Sequence, residues 1–242
     1  MLELKNIFFT VEEEGQSREI IHDLSLKVDD GKVLVITGPN GSGKSTLARI
    51  IAGIEKPTSG SIFLDGEDIT GHNITERARQ GIGYAFQQPV RFKGLRVLDL
   101  LRIAAGRELT IAEACEYLSR VGLCARDYVE REVNASLSGG ELKRIEIATV
   151  IARRTRLSVF DEPEAGIDLW SFQNLIRIFE SMREDIRNSS IIIISHQERI
   201  LKIADDIAVI AAGRVEKAGP RGIILPELLG TNSAVGACMK LK

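Results

Sequence analysis

The stretch "GKVLVITGPNGSGKSTLARIIAGI", residues 31–54, decides the fold. Its first third is a short β-branched run, which suits a strand buried inside a parallel sheet. Its middle, residues 38–45, fits G-x-x-x-x-G-K-[ST] in full, with a strand before it and a helix after it. The four fixed positions recur by accident in on the order of one per cent of chains this long, from average residue frequencies. Gly38, Gly41 and Gly43 let the backbone turn its amides inward, and Pro39, Asn40 and Ser42 complete the loop. Lys44 brings a cation to the β/γ phosphates, and Ser45, followed by Thr46, offers a hydroxyl to Mg²⁺. The helix predicted from Lys44 to Gly53 adds the partial positive charge of its N-terminus. This is the grip of a nucleoside triphosphate.

Outward from that grip, "LELKNIFFTV" and "EIIHDLSLKV" read as two strands around a polar turn at Glu12–Arg18. "PTSGSIFLDGEDI" reads as turn, strand, turn. From Pro89 to Ala152 the periodicity becomes helical in "VLDLLRIAAG", "IAEACEYLSRVGL" and "ELKRIEIATVIARR". Strands resume at "LSVFDE", "SIIIIS" and "DIAVIAAG", with an amphipathic helix carrying Phe172, Leu175, Ile176, Phe179 and Met182 on one face. The expected fold is α/β: a mostly parallel sheet, an N-terminal antiparallel β subdomain and an inserted helical lobe. Residues 1–88 and 153–220 would form the core, 89–152 the lobe, and 221–242 a tail of weak periodicity.

Composition narrows the partners. Of 242 residues 44% are hydrophobic but only 5% aromatic, so the core is aliphatic. A formal net charge of −2 argues against a nucleic-acid surface, and no nucleic-acid partner is expected. Cys115, Cys124 and Cys238 lack ligand spacing, and no apolar run reaches the ~18–20 residues needed to span a bilayer. With no signal-peptide core at the start, the expected location is the cytoplasm.

"LSVFDE" ends on adjacent carboxylates where a second core strand should end. Asp161 would hold the Mg²⁺ shell. Glu162 would act as general base toward an attacking water. His196 closes "IIIISH" at the same sheet edge, where ligands of such sheets sit. In "AFQQP", Gln87 or Gln88 stands between sheet and lobe, in reach of Mg²⁺ or the water. His22 and His72 lie in polar segments without a role. The remaining oddity is "LSGGELKR", residues 137–144: Ser138, Gly139 and Gly140 open a long helix as a second anion grip, nearly a hundred residues after the first.

Taken in order and spacing, the loop at 38–45, "AFQQP", "LSGGE", "VFDEP", "GID" and "SH" resemble the ABC-type ATPases over residues 1–220. That resemblance implies ATP and Mg²⁺ as ligands and head-to-tail dimers of two cassettes. The Ser138–Gly140 segment of one subunit would close on the ATP held by the other. It implies further that Glu162 is the base, His196 the γ-phosphate sensor and Gln87 the coupling residue. Asp168 would lie in the loop linking the two sites. Val11 stands where the family places an aromatic that stacks on adenine. "FTVE", "AFQQPV", "SGGELKR", "AGID" and "HQERIL" are similar to the SufC-like ATPases of Suf-type iron–sulfur cluster assembly. The partner expected from this is a Suf-type scaffold. The alternative is a transmembrane permease, with the chain as the motor of a transporter. A ribosome-bound or repair ATPase is disfavoured, because those carry two cassettes or coiled-coil insertions.

Overall fold

The computed structural model describes residues 1–13, 15–134, 136–185 and 189–238. Glu14 of the expected turn, Ala135 of the expected lobe and positions 239–242 of the tail lie outside them. The chain folds as an α/β structure with two sheets and a helical lobe.

The first sheet is antiparallel. Strands β1 (Leu2–Glu13) and β2 (Gln16–Val28) form a long hairpin, and β4 (Ser59–Leu64) and β5 (Glu67–Asp68) extend it in the order β2-β1-β4-β5. The second sheet contains β3 (Val33–Thr37), β6 (Ile82–Ala85), β7 (Leu157–Asp161), β8 (Ser190–Ile194), β9 (Asp206–Ala211) and β10 (Arg214–Pro220). Its order is β10-β9-β3-β8-β7-β6, parallel except where β10 turns back along β9. Every residue of β3, β7 and β8 is buried, as expected of a parallel strand covered on both faces.

Helix α1 (Lys44–Ala52) follows β3 directly and ends at Gly53, as its sequence predicts. Its last carbonyls are met by a residue that sequence reading passed over. Arg77, from α2 (Ile74–Arg79), is 1% exposed and donates to Ile51 O at 3.0 Å and also to Ile50 O. Burial lowers its pKa to about 10.

Helices α3 (Val97–Ala105), α4 (Ile111–Arg120), α5 (Ala125–Tyr128) and α6 (Gly139–Arg153) form the lobe. Leu98, Leu101, Leu118, Val121, Leu142 and Ile145 join the same aliphatic core as β8 and α7 (Leu169–Asp185). On α7, Leu175, Phe179 and Met182 of the expected face are buried, with Phe172 and Ile176 packed beside them. A six-residue helix, α8 (Glu198–Ile203), follows β8. The tail, which has no clear period, forms α9 (Arg221–Cys238), with Pro226 inside it. Helical periodicity is blurred there by Pro226, Gly222 and Gly230, none a good helix former. Among the described residues no helix is long and apolar enough to cross a membrane.

Candidate functional site

Strand β3 delivers the chain into the loop at Gly38, whose φ is 140° and where a Cβ would lie 1.9 Å from Ile210 O of β9. Only glycine fits that approach. At the far side Gly43 takes φ 96° and opens α1 with no side chain on the helix N-terminus. Lys44 is almost wholly buried, its Nζ donating to Gly38 O at 2.9 Å and Pro39 O at 2.8 Å. Burial pulls its ammonium below the ordinary lysine range, while the carboxylates of Glu162 and Asp161 push the other way. The Ser42 hydroxyl is buried without a hydrogen-bond partner.

The ends of three neighbouring strands converge on this loop. Asp161, 1% exposed at the end of β7, accepts from Ser45 Oγ at 2.9 Å and, on its other oxygen, from Tyr84 OH at 2.9 Å. Glu162 follows in the left-handed region at φ 43°, a conformation a non-glycine residue holds only when its surroundings enforce it. Its amide donates to Ile194 O of β8 at 3.0 Å, which enforces that turn and carries the carboxylate over the loop. Gln87 Nε2 then donates to Glu162 Oε2 at 2.6 Å. His196 follows β8 on the same rim. A cavity of about 450 Å³ is lined by Asn40, Gly41, Gly43–Thr46, Gln87, Glu162 and His196, and on one wall by Arg18 and Ile20 of β2.

The site's donors fit a polyphosphate with a divalent ion. A helix N-terminus free of side-chain caps, an orphaned Ser42 hydroxyl and a lysine resting on its own loop's carbonyls all await an anion. Ser45 Oγ and Asp161 are already adjacent. Among the described residues no three His, Cys, Asp or Glu side chains converge, so phosphate oxygens and water would complete an ion's shell.

The second grip lies elsewhere. Ser138, Gly139, Gly140 and Asp168 are absent from the lining of that cavity. A Cβ on Gly139 would stand 3.9 Å from Gly166 O, and one on Gly140 3.6 Å from Ser171 Oγ, so this segment lies against the loop carrying Asp168. Asp168 Oδ1 accepts from Ser171 N at 3.0 Å, near the start of α7. The expected open anion site at α6 is instead filled by a capping box. Ser138 Oγ accepts from Glu141 N at 3.3 Å and Glu141 Oε2 accepts from Ser138 N at 2.6 Å. Tyr128 OH also donates to the Glu141 carboxylate, which is held below its ordinary range chiefly by that bond.

Sequence reading missed the partners that hold these side chains in place. Tyr84 sits three residues before Gln87 on β6, a strand too short to stand out by alternation. Lys143, 1% exposed on α6, donates to Phe86 O and at 2.9 Å to Glu146, while Glu146 accepts from Phe86 N at 2.9 Å. One buried pair thus holds both backbone groups of the residue before Gln87. Burial pushes the Glu146 carboxyl up, with Lys143 opposing. Glu164 accepts from Ser195 Oγ, which itself accepts from Gln197 N at 3.0 Å, bracketing His196.

A phosphate-gripping loop between a core strand and a helix, faced by strand-end carboxylates and joined to a helical lobe, defines a P-loop ATPase of the cassette class. The chain belongs to the ABC transporter family: the sequence profile of that description matches residues 21–165. The chain is 40% identical over 211 residues to the uncharacterized ABC transporter ATP-binding protein MJ0035 of Methanocaldococcus jannaschii, spanning 84% of each chain. It is 33% identical over 213 residues to the sulfate/thiosulfate import ATP-binding protein CysA of Pseudomonas syringae pv. tomato, covering 84% of this chain and 63% of that relative's length. Among solved structures, cbiO1 from Clostridium perfringens, part of the ABC transporter complex cbiONQ, superposes with a TM-score of 0.77 at 25% identity. That match covers 99% of this chain and 98% of the other. The cassette MJ0796, at 24% identity, shares the fold with a TM-score of 0.81 over 91% of this chain. This chain is an ATP-hydrolysing cassette.

Proposed function

We propose that the chain is the cytoplasmic motor subunit of a membrane transporter, pairing with a second copy of itself and with a transmembrane subunit. The carrying observation is a second cavity, of about 790 Å³, between the loop after β6 and helices α3 and α6. Phe86, Val90, Phe92 and Ile103 present apolar surface there, each more than a third exposed. Arg79, Arg153, Arg154 and Arg156 line the same groove. Its fitting occupant is a short helix from the membrane subunit, apolar along one face and acidic at one end. Phe86 belongs both to this groove and to the Lys143–Glu146 clamp, so whatever docks there pulls on Gln87.

In this reading residues 38–46 bind ATP, with Lys44 on the β/γ phosphates. Ser45, Asp161 and Gln87 would hold Mg²⁺, whose chemistry is to neutralise charge on those oxygens. Glu162 takes the proton of the attacking water, Gln87 orients it, and His196 reads the γ-phosphate. Ser138, Gly139, Gly140 and Asp168 complete the site of the neighbouring copy. In the same reading residues 1–88 and 153–220 are the ATP-binding core, 89–152 the lobe that carries the second grip, and 221–242 the tail.

A second reading keeps the same chemistry with a Suf-type scaffold as partner. It rests on the five short stretches similar to the cluster-assembly ATPases and on Val11 in place of an aromatic. Affinity purification of the tagged chain from its own cells separates the two. Recovery of an apolar multi-span subunit only after detergent, lost in Phe92→Asp, is the expected result. A scaffold-type partner in the detergent-free extract would overturn the transporter reading.

A further inference from the structure

The cavity over the loop at 38–46 is lined by more than the phosphate-binding residues. Gln87, Glu162 and His196 gather at one part of its wall, and β2 supplies another through Arg18 and Ile20. Strand β2 meets the loop at Gly43, where a Cβ would come within 3.2 Å of Ile20 O. A triphosphate seated on the N-terminus of α1 with its last phosphate toward Glu162 therefore sends its nucleoside along β2.

What stands there follows from register. β1 and β2 pair antiparallel with Val11 opposite Arg18. Residues directly opposite share one face, and between the Thr10–Glu19 and Phe9–Ile21 pairs the register slips, leaving Ile20 as the extra residue of a bulge. Arg18 and Ile20 both line the cavity. Val11 and Ile20 are partly buried against the aliphatic core, so neither offers a plane that a base could stack on. The Arg18 side chain is exposed, and its guanidinium has no hydrogen-bond or ion-pair partner among the described residues. A guanidinium is planar, delocalised and weakly hydrated, and it stacks on aromatic rings as an ammonium does not.

We propose that Arg18 holds the nucleotide base, its guanidinium plane stacked on the purine beside Ile20, and so supplies from β2 what Val11 cannot supply from β1. The proposal rests on reading residues 38–45 as the ATP grip. It makes Arg18 the residue of that site that contacts the base.

Titration calorimetry with ATP and with inorganic tripolyphosphate, on parent, Arg18→Ala, Arg18→Lys and Arg18→Ala/Val11→Tyr, tests it. Arg18→Ala is expected to weaken ATP about three- to tenfold, the range of an exposed to partly desolvated cation–π contact, with tripolyphosphate binding unchanged. Arg18→Lys is expected to fall with it, and the added Val11→Tyr to restore affinity by offering an aromatic plane. Equal losses for ATP and tripolyphosphate would make Arg18 a phosphate ligand and overturn the proposal. Unchanged ATP affinity in Arg18→Ala would do the same while leaving the ATP site intact. Failure of the parent itself to bind ATP would overturn the underlying reading.

Discussion

The two glycine-rich helix starts of this chain look alike in sequence and are opposites in structure. At α1 the first turn has no side chain on its amides, the neighbouring Ser42 hydroxyl is unpartnered, and the adjacent lysine is folded back onto loop carbonyls. At α6 Ser138 and Glu141 cap one another, and a carboxylate stands where an anion would approach. An uncapped helix start is a binding site kept open at a cost in stability. A capped one is stable alone and becomes a phosphate contact only if an incoming γ-phosphate competes for the Ser138 hydroxyl. The difference fits the division of labour proposed above, in which the first grip would hold nucleotide in the lone chain and the second would wait for the ATP of another copy.

Breaking the chemistry at the first grip has the largest expected effect. Glu162→Gln should lower hydrolysis by about 10²–10⁴-fold while ATP still binds, read as phosphate release against nucleotide titration. Next comes the link between the grips. Lys143→Met strands Glu146 as a buried unpaired charge and should cost about 3–5 kcal/mol in urea unfolding, with Lys143→Met/Glu146→Leu recovering most of it. Ser138→Ala should cost about 1 kcal/mol through loss of the cap. Ser42→Ala, which removes an unsatisfied hydroxyl, should leave the nucleotide-free chain as stable or more so. That pair of unfolding curves tests the contrast between open and capped helix starts.

The smallest effect concerns pH. Burial raises the Glu164 carboxyl above its ordinary value of 4.5, so the folded chain binds that proton more tightly than the unfolded one. The cost of its ionised form is absent below that ordinary value and grows as pH rises through the folded one. Glu164→Gln keeps an acceptor for Ser195. It should therefore raise the melting temperature at neutral pH and leave it nearly unchanged in acid.

Much of this was legible in the residues. The loop at 38–45 carries its own context, and buried strands such as β3, β7 and β8 announce themselves as apolar runs. What stayed hidden depends on tertiary placement. Nothing local to Arg77 or Lys143 says that one closes α1 and the other grips Phe86. Strands β5 and β6 are too short for a period, and the period of α9 is blurred by proline and glycine. The capping box at α6 was written in "SGGE" itself, since a serine followed three residues later by glutamate is a cap signature. The glycines drew attention to anion binding instead. The groove proposed as the partner's dock is lined by residues from 78 to 156, which no short stretch displays.

The central claim is that the second grip serves another copy's ATP. Lys44→Ala disables the first grip and Ser138→Arg the second, each leaving the other intact. Hydrolysis should be lost in either variant alone and return when the two are mixed, because one composite site then has both halves whole. Full activity of Ser138→Arg alone, or no recovery on mixing, would contradict it.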